Sequence, residues 1–101
     1  MTMQLIVLYT HPEDAEAFET HYREVHAPLV DAVPGLDHWQ SGRIVAAPDG
    51  GEQQYYRVAQ LSFADQETLQ SALGSPEGHA TAADFQSIAP AGSRMYVVAT
   101  D

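Results

Sequence analysis

Apolar positions along the chain fall into two rhythms. Met3, Leu5, Val7 and Tyr9 alternate with Gln4, Ile6 and Leu8. This is the period-two pattern of a β-strand, and its two faces are both largely apolar, so it should be covered on both sides. The rhythm then lengthens. After His11-Pro12-Glu13-Asp14, apolar side chains recur at Ala15, Phe18, Tyr22, Val25 and Leu29. Steps of three and four predict one buried stripe along an amphipathic helix. Pro12 and the acids Glu13, Asp14 and Glu16 suit its first turn. Glu19 and Arg23, four apart, can pair on its outer side. Pro28 disfavours helical geometry at Ala27, so the regular helix should weaken near His26. Pro34-Gly35 is a turn. A second strand spans Leu36 to Ala46, with Trp39, Ser41, Arg43 and Val45 on one face. Pro48-Asp49-Gly50-Gly51 closes a hairpin loop, and a third strand runs from about Gln54 to Phe63. Asp65 caps a short helix through Leu73. Gly74 ends it, and Ser75-Pro76-Glu77 opens another to about Ile88. Arg94 to Ala99 is a fourth strand, again apolar on both faces.

The order β-α-β-β-α-β predicts a ferredoxin-like α+β fold: a four-stranded antiparallel sheet with helices on one face. Helices cover only one side of such a sheet. The first and fourth strands are nevertheless apolar on both, so the open face calls for a cover, and a second copy of the chain is the simplest one. A homodimer is therefore expected.

Composition narrows the function without naming it. With 101 residues the chain reads as one domain, residues 1–101. It has no cysteine, which excludes disulfides, thiolate metal sites and a cysteine nucleophile, and fits a cytoplasmic location. Four arginines and no lysine face fourteen acids, for a net charge of −10. Such a chain should repel nucleic acid and anionic lipid, so no nucleic-acid and no membrane partner is expected. Its longest apolar run, Leu5 to Tyr9, is too short to span a bilayer.

The candidate chemistry sits on the first helix. His26 and His21 border its apolar stripe on opposite edges, and helix geometry does not choose between them. A neutral imidazole there could take a proton from a phenol or enol, or cap carbonyls at the helix end. Tyr22, four residues before His26, shares its face. Trp39 and Tyr22 either form aromatic walls for a flat apolar ligand or serve as plain core or dimer contacts. Arg43 and Arg57 stand out where cations are scarce; each could hold a carboxylate or phenolate, or pair with an acid. Asp84, next to Phe85, is either a buried hydrogen-bonding acid or a solvated one. Metal binding is not expected. His21 and His26 are about 140° apart around a regular helix, and no His-x-x-x-His or Glu-x-x-His pair occurs. Gly50-Gly51 is a hairpin tip rather than a phosphate loop, so no dinucleotide cofactor is expected either.

Several of these segments together resemble a known family. Tyr22-Arg23-Glu24-Val25-His26-Ala27-Pro28-Leu29, then Pro34-Gly35-Leu36, then Ser75-Pro76-Glu77-Gly78 with Asp84-Phe85 downstream, is similar to the EthD family, named for its association with ethyl tert-butyl ether degradation. The resemblance runs from Leu5 to Val98. It implies a dimeric α+β barrel in which two sheets pack face to face. It favours His26, which matches the family block, over His21 as the acid/base residue; from the residues themselves, Tyr22 stands beside it and Phe18, Trp39, Arg43 and Asp84 are the ligand-binding candidates. Family members are often labelled reductases or oxidoreductases; related barrels include cofactor-free polyketide cyclases, decarboxylases and monooxygenases. The expectation is therefore a small hydrophobic or aromatic metabolite, handled without a cofactor or carried for an oxidative pathway.

Overall fold

The computed structural model describes residues 1–101. Strands β1 (Met3–Thr10), β2 (His38–Arg43), β3 (Tyr55–Phe63) and β4 (Arg94–Ala99) form one sheet in the order β2-β3-β1-β4, antiparallel throughout. Helices α1 (Ala15–His21) and α2 (Ala27–Asp31), joined by a π-helical turn at Tyr22–His26, follow β1. Helices α3 (Gln66–Leu73) and α4 (Pro76–Ile88) lie between β3 and β4. This is the ferredoxin-like arrangement that the alternation of elements implies.

Capping chemistry sets where the helices start. Asp14, Asp65 and Ser75 each accept a backbone N–H from three residues on: Ala17, Thr68 and Gly78. The first helix therefore begins at Ala15, and Pro12 lies outside it. Gly35, with φ +79°, makes the turn into β2, where a side chain would meet Thr68.

One face of the sheet carries the core. Met3, Leu5, Val7 and Tyr9 of β1 pack with Ala59, Leu61 and Phe63 of β3 against Phe18, Tyr22, Val30, Val33, Leu69 and Ala72. Register continues this face across β2 through Trp39, Ser41 and Arg43. The opposite face has no helix. Ile6, Leu8, Val58, Tyr96 and Val98 lie on it, with Tyr96 52% and Val98 39% exposed.

The π turn departs from the expected helix and decides which residues are buried. A regular helix brings Val25 and Leu29 inward. The N–H of Ala27 instead donates to the carbonyl of Tyr22, five residues back, which adds one residue to the turn. Burial then runs Phe18, Tyr22, His26, Val30, Val33, and Val25 is 41% exposed. Pro28 supplies the physical reason. It has no N–H to continue the ladder, and its ring would clash with the carbonyl four residues earlier. Widening the preceding turn relieves that clash, so the helix continues to Asp31 instead of weakening at His26.

Candidate functional site

His26 is buried by the π turn and faces β1 and α4. Its Nδ1 lies 2.8 Å from Oδ2 of Asp84 on α4, and its Nε2 lies 3.3 Å from the hydroxyl of Tyr9 at the end of β1. A carboxylate only accepts, so Nδ1–H donates to Asp84, leaving Nε2 to accept the Tyr9 O–H. The other oxygen of Asp84 accepts from Nε2 of His21, also at 2.8 Å. Side-chain exposure falls along this chain, from 36% at His21 to 12% at Asp84 and 5% at His26. Asp84 thus touches both histidines and does not line the cavity described below.

Burial sets the protonation of the group. It depresses the pKa of His26, partly offset by the hydrogen bond and charge of Asp84, so the imidazole is held neutral at physiological pH. Burial alone would raise Asp84, but hydrogen bonds from the two imidazoles prevail and hold its carboxyl below the usual range. Tyr9, fully enclosed, is pushed far above an ordinary phenol by burial and by neighbouring Tyr22, so it stays protonated.

Beside these groups lies a cavity of about 60 Å³, walled by Tyr9, Tyr22, His26 and Phe85 together with aliphatic side chains of β1, β3 and α2. It sits between the helices and the inner sheet face. By comparison, a cavity of about 150 Å³ admits benzene. In the resting structure only a short or slender apolar group fits.

The remaining sequence candidates gather on the other side of Tyr22. The Tyr22 hydroxyl meets Ser41 Oγ at 2.8 Å, and the Arg57 guanidinium lies 4.5 Å over the Tyr22 ring. Arg57 donates to Ser41 Oγ at 2.8 Å and forms a forked ion pair with Glu19, which also accepts the Tyr56 hydroxyl at 3.0 Å. Glu19 pairs across to β3 and not with Arg23. Its pKa is pushed up by burial but held down overall by hydrogen bonds from Arg57 and Tyr56. Trp39 donates its indole N–H to Asp31 at 2.7 Å and is not part of the cavity wall. Phe18 packs edge-on against Tyr9, behind the cavity, at 5.4 Å between ring centres. Arg43, exposed at the end of β2, is opposite Arg57 in register and makes no ion pair.

Tyr9 and Ser41 were not among the sequence candidates. Tyr9 carried one legible signal: a hydroxyl closing an otherwise apolar strand face needs a partner where that face is buried. On a regular helix His21 and His26 would stand about 140° apart, yet Asp84 accepts from both across the widened turn.

The EthD domain matches residues 10–89. The chain belongs to the EthD family. A relative from Rhodococcus erythropolis, an uncharacterized 11.0 kDa protein of the thcB–thcC intergenic region, is 35% identical over 92 residues, 91% of this chain and 88% of that protein. The crystal structure of an EthD family protein from Bacillus halodurans C-125 superposes with a TM-score of 0.93 at 36% identity over 100% of both chains. A dimeric ferredoxin-like protein of unknown function from Jannaschia sp. CCS1 shares the fold at 13% identity, with a TM-score of 0.74 over 99% of this chain and 100% of that one. No helix of this EthD protein is long and apolar enough to cross a membrane.

Proposed function

We propose that this EthD protein is a homodimer that binds a small, mostly apolar molecule in the cavity beside His26, and that His26 acts there as a general base without a resident cofactor. One observation carries the reading: a neutral imidazole, oriented by Asp84 and hydrogen-bonded to Tyr9, forms the polar wall of an otherwise apolar cavity. A bound O–H or activated C–H gives its proton to the Tyr9 oxygen while the Tyr9 O–H proton passes to Nε2 of His26. The Asp84 carboxylate stabilises the imidazolium that results, and the substrate retains the electron pair. Phenol, enol and α-carbonyl chemistry meet this requirement, including that of cyclases and decarboxylase-like lyases. Support for a place in an oxidative degradation route is the family's association with ether degradation.

A carrier without chemistry is the second reading, and one feature favours it. Both His26 nitrogens already have protein partners, as in a histidine that only closes a pocket. Ligand-observed NMR with small aldehydes, ketones and phenols separates the two. Binding should move the His26 ring resonances, and His26→Ala should weaken binding or turnover by roughly tenfold, about 1.4 kcal/mol. Turnover lost with binding kept establishes the base. Binding without turnover in either protein establishes the carrier, and no binding by any probe overturns both.

A further inference from the structure

The cavity is partly open beside Leu73 and Met95, each 39% exposed, and its walls also point to a second space next to it. Among the clefts of the molecule, only one shares a wall residue with the cavity, and that residue is Tyr22. This cleft is an open groove of about 510 Å³ between the π turn and β2. Its walls include Tyr22, Arg23, Trp39, Ser41, Arg57 and Glu19.

The charge of this groove reverses that of the chain. Four cations face fourteen acids in the whole sequence, but two guanidiniums face one carboxylate here. That carboxylate, Glu19, is already held by Arg57 and Tyr56. Arg23 makes no ion pair, although the chain carries fourteen acids. Arg43, next to Arg57 across the β2–β3 register, is likewise unpaired and adds to the local positive field. Arg57 has guanidinium protons to spare beyond its bonds to Glu19 and Ser41. An unpaired arginine at a groove mouth, with hydroxyls behind it, suits a carboxylate.

We propose that the groove is the head-group site for the ligand of the cavity, and that this ligand is a small carboxylate with a slender apolar tail. The carboxylate sits between Arg23 and Arg57, within reach of the Tyr22 and Ser41 hydroxyls. The tail passes the Tyr22 ring and ends against Tyr9 and His26. Tyr22 is the first residue of the widened π turn, and a shift of its ring joins the 60 Å³ cavity to the 510 Å³ groove. Both spaces lie on the helix side of the sheet, so a second copy covering the open face leaves the groove clear. The assignment rests on the cavity reading above and extends it to the chemistry of the ligand.

Two probes of equal length test it: hexanoate and its neutral amide, hexanamide. Trp39, the single tryptophan, lines the groove and reports by fluorescence, while the His26 ring resonances report from the cavity. Hexanoate should bind at least about fivefold more tightly than hexanamide, and the difference should shrink as salt screens the arginines. Arg23→Gln, at an exposed position, should reduce the preference to less than about twofold and leave hexanamide affinity unchanged. Equal binding of both probes to the wild type, with His26 responding, overturns the head-group site and leaves the cavity reading standing. A hexanoate preference untouched by Arg23→Gln overturns it as well. Binding of neither probe overturns both.

Discussion

Asp84 is the residue on which the site turns, because one carboxylate serves two histidines of different exposure. Replacing it with Asn keeps the shape and removes the charge. Without that charge the burial effect on His26 is less opposed, so Asp84→Asn should lower the His26 pKa further, as read by NMR titration. A rise, or no change, would show that Asp84 does not act on the imidazole. Tyr9→Phe removes the donor to Nε2 and leaves a buried acceptor unpaired. It should cost about 1–3 kcal/mol of stability in urea unfolding. The same groups set an acid limit. Burial depresses His26 in the folded state, so as pH falls below about 6.5 the unfolded chain takes up its proton first. Asp84, lowered in the folded state, adds stability above the ordinary carboxylate range that is lost as pH falls through its folded value. Both effects lower stability toward acid. Unfolding midpoints should drop from about pH 7.5 to about pH 5, and His26→Gln should flatten that slope. A midpoint independent of pH over this interval would remove His26 as its source.

At the scale of elements, most of the fold was legible because period-two and helical patterns, caps and turns agreed along the chain. Asp65, Gly74, Ser75 and Pro76 mark helix ends where the structure has them. What the pattern could not carry was the π turn. A helical period is extrapolated residue by residue, and one inserted residue moves burial from Val25 and Leu29 to His26 and Val30. Pro28 signalled an irregularity, but the place where the helix would yield depended on packing against the sheet. Partners across elements were hidden for a similar reason: the contacts of His21 with Asp84 and of Glu19 with Arg57 need the tertiary fold. The α3–α4 junction gives a further case. Gly78 is packed so closely on α3 that a Cβ there would press on the backbone carbonyls of Ala72 and Leu73. Backbone cannot move aside as a flexible side chain does, so Gly78→Ala should destabilise by about 1–3 kcal/mol despite the better helix propensity of alanine. A melting temperature equal to or above wild type would mean that α4 shifts freely on α3, and the position of Asp84 with it.

For the whole molecule, the question is what lies on the open face of the sheet. Ile6, Leu8, Val58, Tyr96 and Val98 present apolar side chains there with no helix above them. The core on the other face does not need them. Leaving this surface in water forgoes roughly 25 cal/mol for each Å² that a cover would bury. A chain of net charge −10 resists indiscriminate association, so the cover should be specific and shaped to the sheet. A second sheet of the same twist meets that condition, and a two-fold pairing lets each copy cover the other. The expected state is a dimer at micromolar concentration by analytical ultracentrifugation, burying on the order of 2,000 Å² or more in total. Tyr96→Glu places a charge in the middle of that contact, on a side chain that is 52% exposed in the isolated chain and supports no core contact. It should give a folded 11.0 kDa monomer with unchanged helix content by circular dichroism. A wild-type protein that sediments as the monomer would leave the open face without its partner, and a Tyr96→Glu protein that stays dimeric would put the interface elsewhere on the surface.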